Sequence, residues 1–367
     1  MYDYLVVGAG LFGATFAHEA VKAGHSVLVV DKRNHIGGNV YTESVADIDV
    51  HRYGAHIFHT DDETVWDYVT TLTPFHPYVH QLKANYKGRL YDMPFNMYTF
   101  SEIFGIQTPE EARTILDQER AEVQGEPQNL EEQAIALVGR TVYTKLVKGY
   151  TEKQWGRDCK ELPPSIIRRL PVRYIYDNNY FNDRFQGIPD RGYTALVQAL
   201  LEDCTVTLNT DFLTDRAELE AQCKKVVYTG PLDEYYEYCY GRLEYRSLRF
   251  ETELLDRNSY QGMAVVNYTD RSPDYTRIIE HKFFHDKNQP QTVITREYPA
   301  AWTKGMEPYY TVNDAKNTVL HEQYAARARE DGLLFGGRMA DYQYYDMDDT
   351  IAAALRLAQE ELKWNDR

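Results

Sequence analysis

Tyr4-Leu-Val-Val-Gly8-Ala-Gly10-Leu-Phe-Gly13 opens the stretch that decides the fold, and it runs on through Ala14–Ala23 and Ser26-Val-Leu-Val-Val30 to Asp31. The first four residues read as a short buried strand. Ala14–Ala23 has helical spacing, and Ser26–Val30 is a second buried strand ending in an acid. The three glycines allow, in turn, a tight turn, a close backbone approach to a pyrophosphate, and helix–strand packing. The helix N-terminus then faces the phosphates, and Asp31 can accept from ribose hydroxyls. A lone G-x-G-x-x-G is a weak signal. Here the strand, helix and acid fall where a dinucleotide site needs them.

Further glycines favour FAD over NAD. Gly37-Gly38-Asn39 follows soon after the ribose acid. Near the other end, the strand Leu333–Phe335 runs into Gly336-Gly337-Arg338 and then a helix starting near Asp348. No second G-x-G-x-x-G offers a dedicated NAD(P)H domain. The Rossmann-like α/β domain is expected from three separated pieces, 1–65, 192–240 and 315–367. Residues 96–160 carry no strand pattern and read as a helical domain, with Thr108-Pro109 and Asn129–Glu132 as helix starts and Gly139 as a helix end. Leu243–Phe250, Ala264–Asn267, Thr276–Glu280 and Thr292–Arg296 alternate as strands of an antiparallel sheet. That domain is assigned 66–95, 172–191 and 241–314.

Composition bounds the function. The 367 residues carry 40 Lys+Arg against 56 Asp+Glu, a formal charge of -16, which opposes nucleic-acid and membrane-surface binding but allows a local basic pocket for a small anion. The 31 tyrosines suit either a Tyr-rich core or a site for a ring-containing polar ligand. Cys159, Cys204, Cys223 and Cys239 form no C-x-x-C pair, and no signal peptide is seen, so a reducing cytoplasmic location is expected, with no disulfide frame. The apolar run Leu5–Ala17 is too short for a membrane span, which needs about 18 residues. His51, His56 and His59 lack a carboxylate–His pattern, and no metal site is expected. Acidic runs at Asp61, Glu131 and Asp348 fit helix starts.

Several segments together resemble bacterial UDP-galactopyranose mutases: His51-Arg-Tyr-Gly-Ala-His-Ile-Phe-His59, Pro94-Phe-Asn96, Gly149-Tyr-Thr-Glu-Lys-Gln-Trp155, Pro171–Phe181, Thr276–His281, Glu307-Pro-Tyr-Tyr310 and Gly336–Asp346. The resemblance spans essentially the whole chain. It implies an FAD-dependent isomerase interconverting UDP-galactopyranose and UDP-galactofuranose. In that family reduced flavin N5 attacks the anomeric carbon and displaces UDP. The sugar ring opens and recloses on the flavin adduct, with no net redox change. The resemblance also implies an NAD(P)H or other electron donor and a homodimer.

Residue roles follow from the same resemblance. Arg169 and Arg277 occupy the substrate-arginine positions, Arg169 on a mobile loop of about 155–171; a planar, permanently charged fork suits a diphosphate. Tyr180, Tyr309 and Tyr344 match tyrosines beside the phosphates, and Tyr150 and Trp155 match the uridine region. Phe181 and Asn267 match substrate-side positions. His56 and His59 lie beside the flavin and, with the two arginines, form the expected catalytic group. Gly8, Gly10, Gly13, Asp31, Gly38, Asn39, His56, Arg338 and Asp346 are expected to hold FAD. Arg191 and His80 depart from the family pattern, His80 where asparagine occurs in some relatives. A flavin amine oxidase or desaturase, sharing the nucleotide fold, would need an apolar tunnel and no phosphate clamp. A non-catalytic flavin- or nucleotide-sugar-binding regulator would not need the two arginines.

Overall fold

The computed structural model describes residues 1–167, 171–285 and 288–362. Its first layer is a five-stranded, all-parallel sheet in the order Thr205–Thr207, Val27–Val30, Tyr2–Val7, Cys223–Tyr228, Leu334–Phe335. Apolar side chains alternate between two buried faces, as a covered parallel sheet requires. Tyr4, Val6, Val27 and Val29 join the main core. Leu5, Leu28 and Val30 join a second core rich in tyrosine, including Tyr228, Tyr235, Tyr236, Tyr245, Tyr324 and Tyr342. Many of the tyrosines are therefore packing residues. Helix Leu11–Lys22 packs on helix Met347–Leu362, closing one face.

The second sheet has seven strands, in the order Tyr310–Thr311, Tyr245–Leu255, Thr292–Ala301, Arg277–Glu280, Val265–Tyr268, Leu82–Tyr86, Arg89–Met93. It is larger than the four expected strands, and one pair, Val265–Tyr268 with Leu82–Tyr86, is parallel. Those two strands are far apart in the chain, so no hairpin dictates their direction. Two small sheets went unread in the sequence: the hairpin Thr42–Val45/Ile48–His51 and the trio Phe58–Thr60, Phe185–Pro189, Phe75–Pro77. The trio brings His59 toward the segment that carries Phe181.

Helices Met97–Phe104, Pro109–Arg120, Leu130–Val142 and Lys148–Trp155 form a group of their own, with Met97–Phe104 and Lys148–Trp155 in contact with the seven-stranded sheet. Thr108 makes a reciprocal capping box with Glu111, and the Asn129 side chain accepts from the Glu132 amide. Gly139 (φ 79°) breaks the third helix where the sequence put its end. Among the described residues no helix is long and apolar enough to cross a membrane.

Candidate active site

One cavity of about 1870 Å³ runs between the two sheets. Every residue assigned to the site from the sequence lines it except Arg169, which lies outside the described residues.

At one end is the glycine turn. A Cβ on Gly13 would stand 2.0 Å from the Gly8 carbonyl oxygen, so the strand-to-helix turn excludes any side chain there. Gly10 differs: a Cβ there would meet only Gly38 Cα at 3.7 Å, leaving open space beside the helix start. That helix has no side-chain cap and no acidic residue in its first turn, so its free amides face the cavity without competition. Asp31 accepts from the Ala9 and Arg33 amides, both at 2.9 Å, fastening the turn and keeping lone pairs for a diol. The Arg33 guanidinium lies over Tyr53 and donates to Asn39 Oδ1 (3.0 Å) and Glu307 Oε2 (3.2 Å), yet its buried Nη1 has no partner. Arg338 donates to the Tyr309 carbonyl at 3.0 Å and leaves a buried Nε without a partner. Asp346 stands at the start of helix Met347–Leu362, whose Met347 and Thr350 also line the cavity. An open glycine cradle, an uncapped helix start and two orphaned cationic donors fit a dinucleotide such as FAD.

The other end is built on strand register. Asn267 pairs directly with Arg277, and Arg277 directly with Glu297, so the three side chains form a row on one sheet face. Helix Lys148–Trp155 lies over this row at close range: a Cβ on Gly149 would be 2.5 Å from the Thr269 carbonyl. Lys153 holds the helix there by donating to the Tyr268, Pro273 and Tyr275 carbonyls at 2.8–3.0 Å. Tyr150 thereby meets Arg277, whose Nη2 donates to the phenol oxygen at 2.5 Å. Burial works against the Arg277 charge, but Glu297 and Tyr150 beside it outweigh that and keep it cationic. Glu297 is 2% exposed, and burial pushes its carboxyl up although Arg277 opposes the shift. Its Oε1 lies 3.5 Å from Arg277 Nε, outside hydrogen-bond geometry, and both atoms are orphaned, as is Asn267 Oδ1. Three adjacent unmet polar atoms make this wall ready for a polar ligand.

Aromatic side chains close the walls. Phe181 is stacked on His59 at 3.6 Å and flanked by His80 at 5.7 Å, with Tyr180 edge-on to both Phe181 and His80. Burial raises the Tyr180 phenol to about 12 and lowers His80 to about 3. His59 Nδ1 is 3.2 Å from Asp183. His56 donates from Nδ1 to the Gly54 carbonyl at 2.8 Å; burial drops its pKa to about 4, with Arg338 and Arg277 adding to the drop. Tyr344 stacks on Tyr310, and the Arg338 guanidinium lies 5.2 Å from the Tyr344 ring. Trp155 ends the helix at the cavity's far rim.

Tyr309 has a second tyrosine beside it at the site. Tyr309 is 6% exposed and packs on Tyr53 and Phe250, with Arg33, Glu307 and Glu297 as its charged neighbours. Tyr310 faces Arg277, Tyr150 and Tyr344. Both tyrosines line the cavity, Tyr309 just before the short strand Tyr310–Thr311 and Tyr310 within it. Glu297, Tyr310 and the Arg33–Glu307 pair were missed in the sequence. The one signal for Glu297 was its place in an alternating strand near that of Arg277.

Comparison with known proteins gives a consistent result. Residues 145–344 match the family described as GLF, UDP-galactopyranose mutase, and residues 6–72 match the NAD(P)-binding Rossmann-like domain. The chain is 42% identical over 365 residues to a probable UDP-galactopyranose mutase of Klebsiella pneumoniae, covering 98% of this chain and 94% of that one. It is 39% identical over 375 residues to a dTDP-fucopyranose mutase of Escherichia coli, covering all of both. A crystal structure of reduced UDP-galactopyranose mutase shares the fold, with a TM-score of 0.75 at 13% identity over 100% of this chain and 97% of that one.

Proposed function

The chain belongs to the UDP-galactopyranose mutase family, and from that premise we propose that it interconverts UDP-galactopyranose and UDP-galactofuranose using reduced FAD. The observation that carries this reading is the shared cavity: a dinucleotide cradle at Gly10 and the arginine row Asn267–Arg277–Glu297 line the same space. An amine oxidase has no use for such a row.

Gly8, Gly10, Gly13, Asp31, Gly38, Asn39, Arg338 and Asp346 hold the FAD. When bound and reduced, FAD supplies the nucleophile that exchanges with UDP at the anomeric carbon. The chain's residues do the rest. Arg277, kept charged by Glu297, neutralises the diphosphate and stabilises it as it leaves. Arg169 supplies a second cation. Burial raises the phenols of Tyr150, Tyr180 and Tyr310, so they stay protonated and donate to phosphate oxygens; Tyr344, stacked on Tyr310, adds a fourth phenol to that wall. Trp155 borders the uridine, while Phe181, His59 and His56 shape the wall next to the sugar and exclude water. An NAD(P)H or comparable donor, a homodimer and a cytoplasmic location complete the proposal.

The dTDP-fucopyranose mutase relative makes substrate identity the point to test. Reduced protein is offered UDP-galactofuranose and dTDP-fucofuranose in parallel, and conversion is followed by chromatography. Faster turnover of the UDP-sugar is expected. Turnover of the dTDP-sugar alone would reassign the substrate.

A further inference from the structure

Strand Ile48–His51, paired with Thr42–Val45, runs on through residues 52–57 to strand Phe58–Thr60. Two amides along this stretch, those of His51 and His56, donate to imidazole nitrogens. The His56 amide donates to His51 Nδ1 at 3.1 Å, and the His51 amide donates to His281 Nδ1 at 3.2 Å. A backbone N–H can only donate. Both Nδ1 atoms are therefore unprotonated, and both rings are neutral with the proton on Nε2. His281 Nε2 spends its proton on Thr295 Oγ1 at 2.7 Å. His56 is fixed in the opposite sense: Nδ1 faces the Gly54 carbonyl, which can only accept, so Nδ1 carries the proton and Nε2 is bare.

The rings are also held in place. His51 is 1% exposed and lies flat on Phe284, with centroids 4.5 Å apart and planes within 2°. His281 is fully buried on the seven-stranded sheet side. A rigid line thus runs from Thr295 through His281 and His51 to the His56 amide. His56 lines the cavity, with Arg277 and Arg338 as its charged neighbours.

We propose that His51 is a positioning residue for the isomerisation: its unprotonated Nδ1 ties down the His56 amide, so that His56 presents a bare Nε2 acceptor to the cofactor and sugar. This rests on the mutase reading for its kinetic test alone. Burial, and the neighbouring Arg52 charge at His281, keep both relay rings neutral.

Two substitutions separate this role from plain packing. His51→Phe keeps a flat ring against Phe284 but has no acceptor. His51→Asn loses the stack but sets an amide oxygen where Nδ1 stood. With FAD content equal to wild type, His51→Phe is expected to lose kcat by roughly 30- to 100-fold, the scale of a misplacement near 1 Å, with KM little changed. His51→Asn should recover most of that loss. Near-normal kcat in the phenylalanine variant, or an asparagine variant no better than it, would overturn the proposal. A second measurement needs neither folding variants nor activity: ring ¹⁵N spectra of histidine-labelled, FAD-bound wild type at pH 7. Nε2–H tautomers at His51 and His281 and an Nδ1–H tautomer at His56 are expected. An Nδ1-protonated His51 would refute the relay even if the protein proved to act on another sugar.

Discussion

Removing Arg277 should separate stability from catalysis, because its partner Glu297 stays behind. Glu297 is 2% exposed, and its nearest cation is Arg277, whose side chain is 25% exposed, toward the cavity. Breaking a buried ion pair by deleting one partner costs about 3–5 kcal/mol. The 3.5 Å separation without hydrogen-bond geometry puts Arg277→Ala at the low end, about 3 kcal/mol, seen as a fall of several degrees in Tm. The pH dependence has a definite sign. Burial already raises the Glu297 carboxyl, and losing Arg277 raises it further. A carboxyl raised in the folded state contributes stability below its unfolded pKa and loses it as pH rises through the folded value. The deficit of Arg277→Ala against wild type should therefore shrink from pH 7 to pH 5. Adding Glu297→Gln should restore most of the stability and abolish that pH dependence. Turnover should stay low in both variants, by a few hundred-fold, if the arginine makes two charge-assisted bonds worth about 3–4 kcal/mol together. FAD content should match wild type. Denaturant unfolding and a reduced-enzyme assay measure both effects. Undiminished stability in Arg277→Ala would show that Glu297 is not left stranded, and recovered turnover in the double variant would take Arg277 out of the chemistry.

Gly10→Ala should leave the apo fold within about 1 kcal/mol of wild type, because φ is -84° and the only neighbour stands at 3.7 Å, yet weaken FAD by tenfold or more through one displaced charge-assisted bond. Unchanged FAD affinity in a titration would remove Gly10 from the cradle. His56 at about 4, His80 and His281 at about 3, and His51 well below its usual value are neutral when folded. The unfolded chain binds their protons below about pH 6.5, so stability should fall on acidification by up to about 1.4 kcal/mol per pH unit for each. Equal unfolding free energies at pH 7 and pH 5 would contradict this. Arg169→Ala should lose most turnover and Arg169→Lys regain only part, since a point charge cannot make a two-pronged contact; full activity in the alanine variant would take Arg169 out of the site.

What could be read from the sequence was local. The glycine turn and Asp31 lie within one unit of about thirty residues, where spacing alone fixes geometry, and the helix caps at Thr108 and Asn129 are four-residue signals. The Asn267–Arg277–Glu297 row was hidden because it depends on how three strands pair, and a shift of one residue would turn each side chain to the other face. His80 and the His51–His281 relay depend on contacts between segments up to 230 residues apart, which no pattern in the chain announces.

If one cavity seats a reduced flavin against a UDP-sugar, catalysis must depend on the flavin's electrons without consuming them. FAD-loaded protein, dithionite-reduced or oxidised, is incubated with UDP-galactofuranose under anaerobic conditions. Products are separated by chromatography while the flavin spectrum is recorded. UDP-galactopyranose is expected from the reduced protein only, over many turnovers, with the flavin still reduced at the end. Equal conversion by the oxidised protein, or flavin oxidation in step with product, would contradict that arrangement.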